Sequence, residues 1–413
     1  MKRFLSLLLA LSMLALLLAL FSSCKEEEVV TLYVYNWGEY ISDGSEGSLN
    51  VNAAFEAWYE QNFHQKVKVN YSTFSSNESM YAKLNSGAST YDIVVPSDYM
   101  VERMIKEGML RRLDKEKITN LVNIDYDLLF RGEAPYYDPE NAYSVPYTYG
   151  TVGIIYNKTM VDEADLGSWD IMWNEKYEGN ILQFNNSRDA FATAQLKLGC
   201  GLNSADDADW YAALELLKEQ KPLVQSYVMD EIFNKMENGS AAIAPYYAGD
   251  FFTMYEDNND LGFFYPREGT NIFVDAMCIP TNAAHPEIAE QYINFMLTKE
   301  AAIANAEYIC YASPNKLVRT DSDYQKTMSE IHPDAMSILY GTEDISFESY
   351  QNLPTEKLNL LNSLWEELKI ESSIGTAIIV IACAILGGTT AATVFFFVRR
   401  RRRRRILASL WGD

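Results

Sequence analysis

The chain has 413 residues, enough for two lobes that each bury a core of ordinary size. It carries 34 Lys and Arg against 57 Asp and Glu; with the two termini set aside, 25 basic and 56 acidic residues remain, a charge of −31 that disfavours nucleic acid and anions, although a solvated acidic surface explains the total equally well. Three isolated histidines, His64, His285 and His332, give no metal-ligand cluster, and the chain has no G-x-S-x-G, H-E-x-x-H or G-x-x-x-x-G-K-[ST] motif, so neither an enzyme nor a bound cofactor or metal is expected.

Lys2 and Arg3 precede an apolar run over residues 4–21, and Ser22-Ser23-Cys24 follows. This reads as an export leader. The end of the run resembles a bacterial lipobox, which implies cleavage and acylation of Cys24, although Phe21 stands where that pattern has leucine; the alternative is an uncleaved signal anchor.

Residues 31–37 (TLYVYNW) read as a strand, 49–63 as a helix, 66–73 (KVKVNYST) as a strand, 77–84 as a helix and 91–95 (YDIVV) as a short strand ended by Pro96. This β-α-β-α-β order predicts an α/β fold with mostly parallel sheets, whose ligands sit beyond the strands' carboxyl ends. Residues 144–156 (SVPYTYGTVGIIY) suit a strand that carries the chain between lobes. Then come a strand at 180–184, helices at 189–198 and near 210–221, an apolar run at 241–244 leading into Tyr246-Tyr247, and a second crossing at 272–280 (IFVDAMCIP). Residues 257–268 (DNNDLGFFYPRE) fit a calcium loop superficially, but Leu261 occupies a ligand position and the flanking Phe-Phe-Tyr-Pro looks like a strand, so a loop with solvated acids is the better account.

Residues 374–398 are uncharged over a length sufficient to cross a bilayer, and the seven arginines 399–405 follow. A transmembrane helix with a basic cytoplasmic tail (399–413) is expected, placing the residues before 374 on the outer face of the membrane. The outer segment contains Cys200, Cys278 and Cys310, too few for a disulfide framework.

At the ends of these elements aromatic residues recur beside acids: Trp37, Glu39 and Tyr40; Ser97, Asp98 and Tyr99; Tyr246, Tyr247 and Asp250; Phe273 and Asp275. The pairing suits a flexible aliphatic amine, because carboxylates hold ammonium groups by charge-assisted hydrogen bonds while rings bury methylenes and attract cations. Ordinary packing by some of the 28 tyrosines, with acids serving as helix caps, accounts for the pattern about as well.

Residues 35–40 (YNWGEY), 76–84 (SNESMYAKL), 91–99 (YDIVVPSDY), Ser168-Trp169 and 312–315 (ASPN) together resemble the spermidine/putrescine-binding proteins of ABC transporters, over residues 30 to 370. The resemblance implies a two-lobed type II periplasmic-binding fold: residues 29–145 and 275–317 in the first lobe, 146–274 and 318–370 in the second. It implies a monomer that closes on a polyamine and docks on a separate permease with its ATPase. Carried over residue by residue, Trp37, Tyr40, Ser97 and Tyr99 would line the cleft from the first lobe. Asp189 takes the place of an acidic ligand residue, Tyr247 and Phe273 stand at ring positions, Asp275 corresponds to an amine-holding acid and Tyr311 to a wall residue. Asn186 stands where spermidine-preferring members have aspartate, and Asp250 follows the pattern of putrescine-preferring members, which tilts the cargo toward putrescine. Another cargo on the same fold, or a membrane-anchored sensor or adhesion domain, remain the alternatives.

Overall fold

The computed structural model describes residues 29–370 except Ala88, 131–133 and 342–343, and the side chain of Glu46. The leader, Cys24, the apolar stretch 374–398 and the tail 399–413 lie outside the described residues. Among the described residues no helix is long and apolar enough to cross a membrane.

The first elements follow the expected order: β1 (Val30–Trp37), a helix (Val51–Phe63), β2 (Val67–Phe74), a helix (Asn77–Asn85) and β3 (Ile93–Val94). Both helices begin at side-chain caps, Asn50 accepting from the Ala53 amide and Ser76 from that of Ser79, so local chemistry fixes where they start. β1 lies between β2 and β3 and pairs with both in parallel. β3 is short because Pro96 ends it and because Asp92, just before it, spends its carboxylate on the amides of Tyr33 and His285.

The rest of the sheet is built on one long strand, β4 (Ser144–Asn157), buried along almost its whole length. Then come β5 (Ile181–Phe184), β6 (Val224–Val228), β7 (Ile243–Tyr247), β8 (Leu261–Phe264), β9 (Thr270–Cys278) and β10 (Phe347–Ser349). The strand order is β2-β1-β3-β9-β4-β7-β5-β6, with β10 on β9 and β8 on β4. One end of β4, Ser144 to Thr151, pairs with β9; the other, from Val152, pairs with β7 and β8. β4 and β9 therefore pass between the two halves.

Where mostly parallel sheets were expected the sheet is mixed, with five parallel and four antiparallel pairings among the described residues. All the β4 pairings and the β3–β9 contact are antiparallel, while β1–β2, β1–β3, β5–β6, β5–β7 and β9–β10 are parallel. The physical reason is connectivity: β4 carries the chain out of the first half and β9 brings it back, so as neighbours they must run in opposite directions. Pro146, which has no N–H to donate, sits inside this central strand because the β4–β9 register shifts between Pro146 and Thr148. Residues 257–268 form no cation loop: Leu261 to Phe264 pair with β4, and the Glu268 carboxylate accepts from the Ser168 hydroxyl and the Trp169 amide.

Helix Ser187–Leu198 and helix Asp207–Gln220 pack Phe191, Trp210, Leu214 and Leu217 against Leu361, Leu364 and Leu368 of the last described helix, 355–370. That apolar stripe anchors the C-terminal helix on the second half of the molecule.

The glycines of β4 have a packing cause. A Cβ at Gly153 would stand 2.1 Å from the Phe263 ring, and one at Gly262 would stand 2.6 Å from that of Tyr156, so each ring of the β4–β8 pair lies over the other strand's glycine. Gly153→Ala is expected to lower unfolding free energy by about 1–3 kcal/mol through overpacking, measured by urea denaturation. An unchanged midpoint would show that the ring moves freely.

Candidate functional site

The turn after β1 sets the first wall. Glu39 adopts a left-handed backbone (φ 51°) next to Gly38, and the turn places Trp37 and Tyr40 on the same cleft. Trp37 packs on Phe74 at 4.5 Å between ring centroids, and its indole N–H is buried without a partner. From the same half, Ser97 and Tyr99 flank the start of helix Asp98–Lys106. From the other half, Asn186 and Asp189 come at the start of helix Ser187–Leu198, and Tyr247 and Asp250 come where β7 runs into helix Ala248–Asp257. All eleven residues expected at the site, Asn186, Phe273, Asp275 and Tyr311 included, line this one cleft of about 2120 Å3.

Asp275 is the central acid. It is buried, its Oδ1 accepting from the Ser97 hydroxyl at 2.7 Å and its Oδ2 from the Tyr40 hydroxyl at 2.8 Å. Because the Tyr40 hydrogen goes to Asp275, the Thr148 hydroxyl must donate to Tyr40 across their 2.7 Å contact. Burial pushes Asp275 up to about 6, against the pull of those two hydroxyls. Asp250 accepts from the Tyr311 hydroxyl at 3.1 Å, and enclosure by protein, with a smaller effect of Asp230, pushes it up to about 7. Asp189 is buried under three donors: Tyr247 at 2.8 Å, Tyr350 at 2.8 Å and the Asn186 amide at 2.6 Å. No lysine or arginine among the described residues forms an ion pair with Asp275, Asp250 or Asp189. Arg188 also lines the cleft, but its Nη2 donates to the side chain of Asn203 and the carbonyl of Gln351.

Rings join the acids into one wall. Tyr311 lies 5.5 Å from Tyr40 and 6.1 Å from Phe273, and Phe273 lies 5.5 Å from Tyr247. Tyr311 sits so close to helix Ala248–Asp257 that a Cβ at Gly249 would come within 2.3 Å of its ring. The two halves thus already touch where Tyr311 meets Gly249 and Asp250.

Asn186 behaves differently from the other residues. Its Oδ1 accepts from the Asp189 amide at 2.8 Å as a helix cap, while its Nδ2 donates to the Asp189 carboxylate. Both ends of the amide are engaged within the turn, and no carboxylate stands at that position. Sequence reasoning also missed three residues. Asn77 donates to Ser97 at 3.0 Å and to Tyr99 at 3.1 Å, Thr148 supports Tyr40, and Tyr350 reaches Asp189 from a distant segment. Asn77 lies within one of the quoted motifs, whereas Tyr350 sits in a stretch with no periodicity to mark it.

Residues 53–329 match the family described as bacterial extracellular solute-binding protein. The spermidine/putrescine-binding periplasmic protein of Escherichia coli (strain K12) is 35% identical over 325 residues, 78% of this chain and 88% of that protein. A putrescine/cadaverine-binding protein of Pseudomonas aeruginosa is 28% identical over 352 residues, 82% of this chain and 93% of that one. Among solved structures, the spermidine/putrescine ABC transporter substrate-binding protein of Streptococcus pneumoniae superposes with a TM-score of 0.67 at 31% identity, over 83% of this chain and 99% of that one. The two halves and the cleft between them are therefore those of a two-lobed periplasmic-binding fold, and the chain belongs to the bacterial extracellular solute-binding protein family.

Proposed function

We propose that this protein is the extracytoplasmic polyamine-binding component of an ABC transporter, which takes up putrescine or spermidine on the outer face of the membrane and delivers it to a permease driven by a separate ATPase. The observation that carries this reading is a pair of shielded carboxylates, Asp275 and Asp250, in an aromatic cleft, neither of which forms an ion pair with a lysine or arginine among the described residues. A buried acid without a counter-ion is costly, and a ligand that brings the missing positive charge recovers that cost. Asp275 at one place and Asp250 at another suit an aliphatic dication, with Trp37, Tyr40, Phe273, Tyr247 and Tyr311 covering its methylenes. Burial of a four-carbon spacer contributes on the order of 3 kcal/mol before ordering costs. Asn186 in place of an acid, with Asp250 available, favours putrescine.

A cleft of about 2120 Å3 far exceeds a diamine, which fits lobes that swing further together on binding. In this reading the lobes comprise 29–145 with 275–317 and 146–274 with 318–370, and the closed monomer docks on the permease. A lipidated Cys24 and a membrane helix at 374–398, with the arginine-rich tail in the cytoplasm, would hold the lobes at the outer surface. Thermal-shift screening against putrescine, spermidine, iron and thiamine tests the cargo. Stabilisation by iron or thiamine and not by either amine would replace this reading with another transport role.

Asp275→Asn keeps the shape but removes the charge, and is expected to weaken putrescine binding by about 1.5–3 kcal/mol, roughly 10- to 150-fold, in titration calorimetry. An affinity equal to that of the unaltered protein would remove Asp275 from the site.

The pH dependence has a definite sign. Asp275 and Asp250, at about 6 and about 7, must be ionised to hold ammonium groups, so affinity is expected to rise between about pH 5 and pH 8 and to fall only when the amines themselves lose protons, near pH 10. In the free protein both acids sit above the unfolded value of about 3.9. Their contribution to stability is therefore fully present below about pH 4 and lost as pH rises through about 6 to 7. Ligand-induced stabilisation in thermal melts should grow over that window, and a flat profile would contradict the assignment.

A further inference from the structure

Tyr350 stands one residue past β10 (Phe347–Ser349), whose parallel pairing with the start of β9 brings the segment alongside the cleft. The residue is buried in the cleft wall, and its hydroxyl donates to Oδ1 of Asp189 at 2.8 Å. The Arg188 carbonyl is a second acceptor within reach, at 3.4 Å, so the single phenolic hydrogen goes to the nearer carboxylate oxygen. The other oxygen of Asp189, Oδ2, accepts from the Tyr247 hydroxyl at 2.8 Å and from Asn186 Nδ2 at 2.6 Å. A carboxylate oxygen offers two lone pairs, so Oδ2 is filled, and any further donor to Oδ1 must share it with the phenol.

The phenol is not free to swing aside, because the backbone around it is tied to both halves. From the first half, the Tyr136 hydroxyl donates to the Tyr350 carbonyl, and Glu102, on helix Asp98–Lys106, accepts from the Asn352 amide at 2.8 Å. From the second half, the Asn203 side chain accepts from the Gln351 amide at 2.8 Å and donates to the Ser349 carbonyl at 2.9 Å. The Arg188 guanidinium lies over the Tyr350 ring, 4.6 Å from its centroid, and its Nη2 donates to Asn203 and to the Gln351 carbonyl. Residues 349–352 are thus held by Tyr136, Glu102, Asn203 and Arg188, and the phenol goes where this frame puts it.

We propose that Tyr350 is a specificity-determining residue: held from both halves, it keeps its hydroxyl on Asp189 and so leaves Asp275 and Asp250 to take the two ends of an aliphatic diamine in preference to a triamine. The proposal rests on the polyamine reading. A triamine brings a third ammonium, which loses water on entering the cleft and meets Asp189 already satisfied by hydroxyl and amide donors, so its desolvation goes uncompensated. Other acids do not take its place. Asp98 is engaged by the Tyr99 and Val274 amides, and Glu39 and Glu78 are exposed, where a carboxylate attracts an ammonium only weakly. With the Tyr350 hydroxyl removed, Oδ1 of Asp189 loses its donor, and an ammonium is the group that answers it.

Titration calorimetry of the full chain with putrescine and spermidine tests it. The unaltered protein should bind putrescine the more tightly, and Tyr350→Phe, which keeps the ring and the main-chain bonds, should shift the ratio of the two affinities toward spermidine by about tenfold or more. Adding Asp189→Asn should cancel that shift, because the gain runs through the freed carboxylate. A purely structural role would weaken both amines in proportion, so an unchanged ratio overturns the proposal, as does a preference for spermidine in the unaltered protein. A crystal structure of the unaltered protein with spermidine needs no variant. There the Tyr350 hydroxyl should still meet Asp189, and an amine nitrogen within hydrogen-bond distance of Asp189 overturns the role of Tyr350 even if Tyr350→Phe does not fold. Binding of neither amine would sink the polyamine reading itself, a result distinct from binding of both at an unchanged ratio.

Discussion

The cleft depends on keeping Asp275 and Asp250 out of water without an ion pair to a lysine or arginine among the described residues. A lone ionised acid in a protein interior is expensive, and the usual remedy is an arginine or lysine alongside. Here the remedy is hydroxyls. Ser97 and Tyr40 meet Asp275, Tyr311 meets Asp250, and Tyr247 with Tyr350 meets Asp189. Hydroxyl donors stabilise the charge in part and leave the remainder to burial, which is why Asp275 and Asp250 titrate above the ordinary carboxylate range. A site poised this way gains more from an incoming cation than one already neutralised.

The same constraint shapes the strands. β9 must deliver Asp275 to the junction of the two halves, and it does so paired to β4, which carries Gly150 and Gly153 among its tyrosines. A Cβ at Gly150 would come within 2.5 Å of Phe273 and 3.0 Å of Tyr311, so a side chain there would displace two of the cleft rings. Gly249 keeps the same kind of space for Tyr311 on the opposite wall. Small residues on the crossing strand and the facing helix let aromatic rings approach closely enough to form a continuous apolar wall between the acids.

How much of this was legible in the sequence follows from range. Strands and helices with clear periodicity and good caps, such as residues 30–37, 51–63 and 187–198, were readable within a few residues because short-range chemistry determines them. The antiparallel pairing of β4 with β9 was not, since it depends on segments more than a hundred residues apart. Trp37, Tyr40, Ser97, Tyr99, Tyr247, Asp250, Phe273 and Asp275 stood out because aromatic and acidic types cluster at element ends, whereas Asn186, Asp189 and Tyr311 came only from the resemblance to the spermidine/putrescine-binding proteins. Tyr350 and Thr148 escaped because their roles come from long-range contacts alone. Asn186 lines the cleft, but its behaviour was not visible: only the fold shows its amide turned onto Asp189 while capping a helix.

That bond helps explain why two positive ends are needed rather than one. Asp189 already has three donors on its two oxygens, close to the four positions a carboxylate offers, whereas Asp275 has two and Asp250 one. Acceptor capacity is therefore concentrated on Asp275, carried by the strand between the halves, and on Asp250, at the start of a helix in the second half. A monoamine engaging either acid would gain one charge-assisted contact and leave the other carboxylate unanswered in a low-dielectric wall. A diamine answers both, and under the proposed lobe closure a ligand with a charge at each end favours the closed arrangement over the open one.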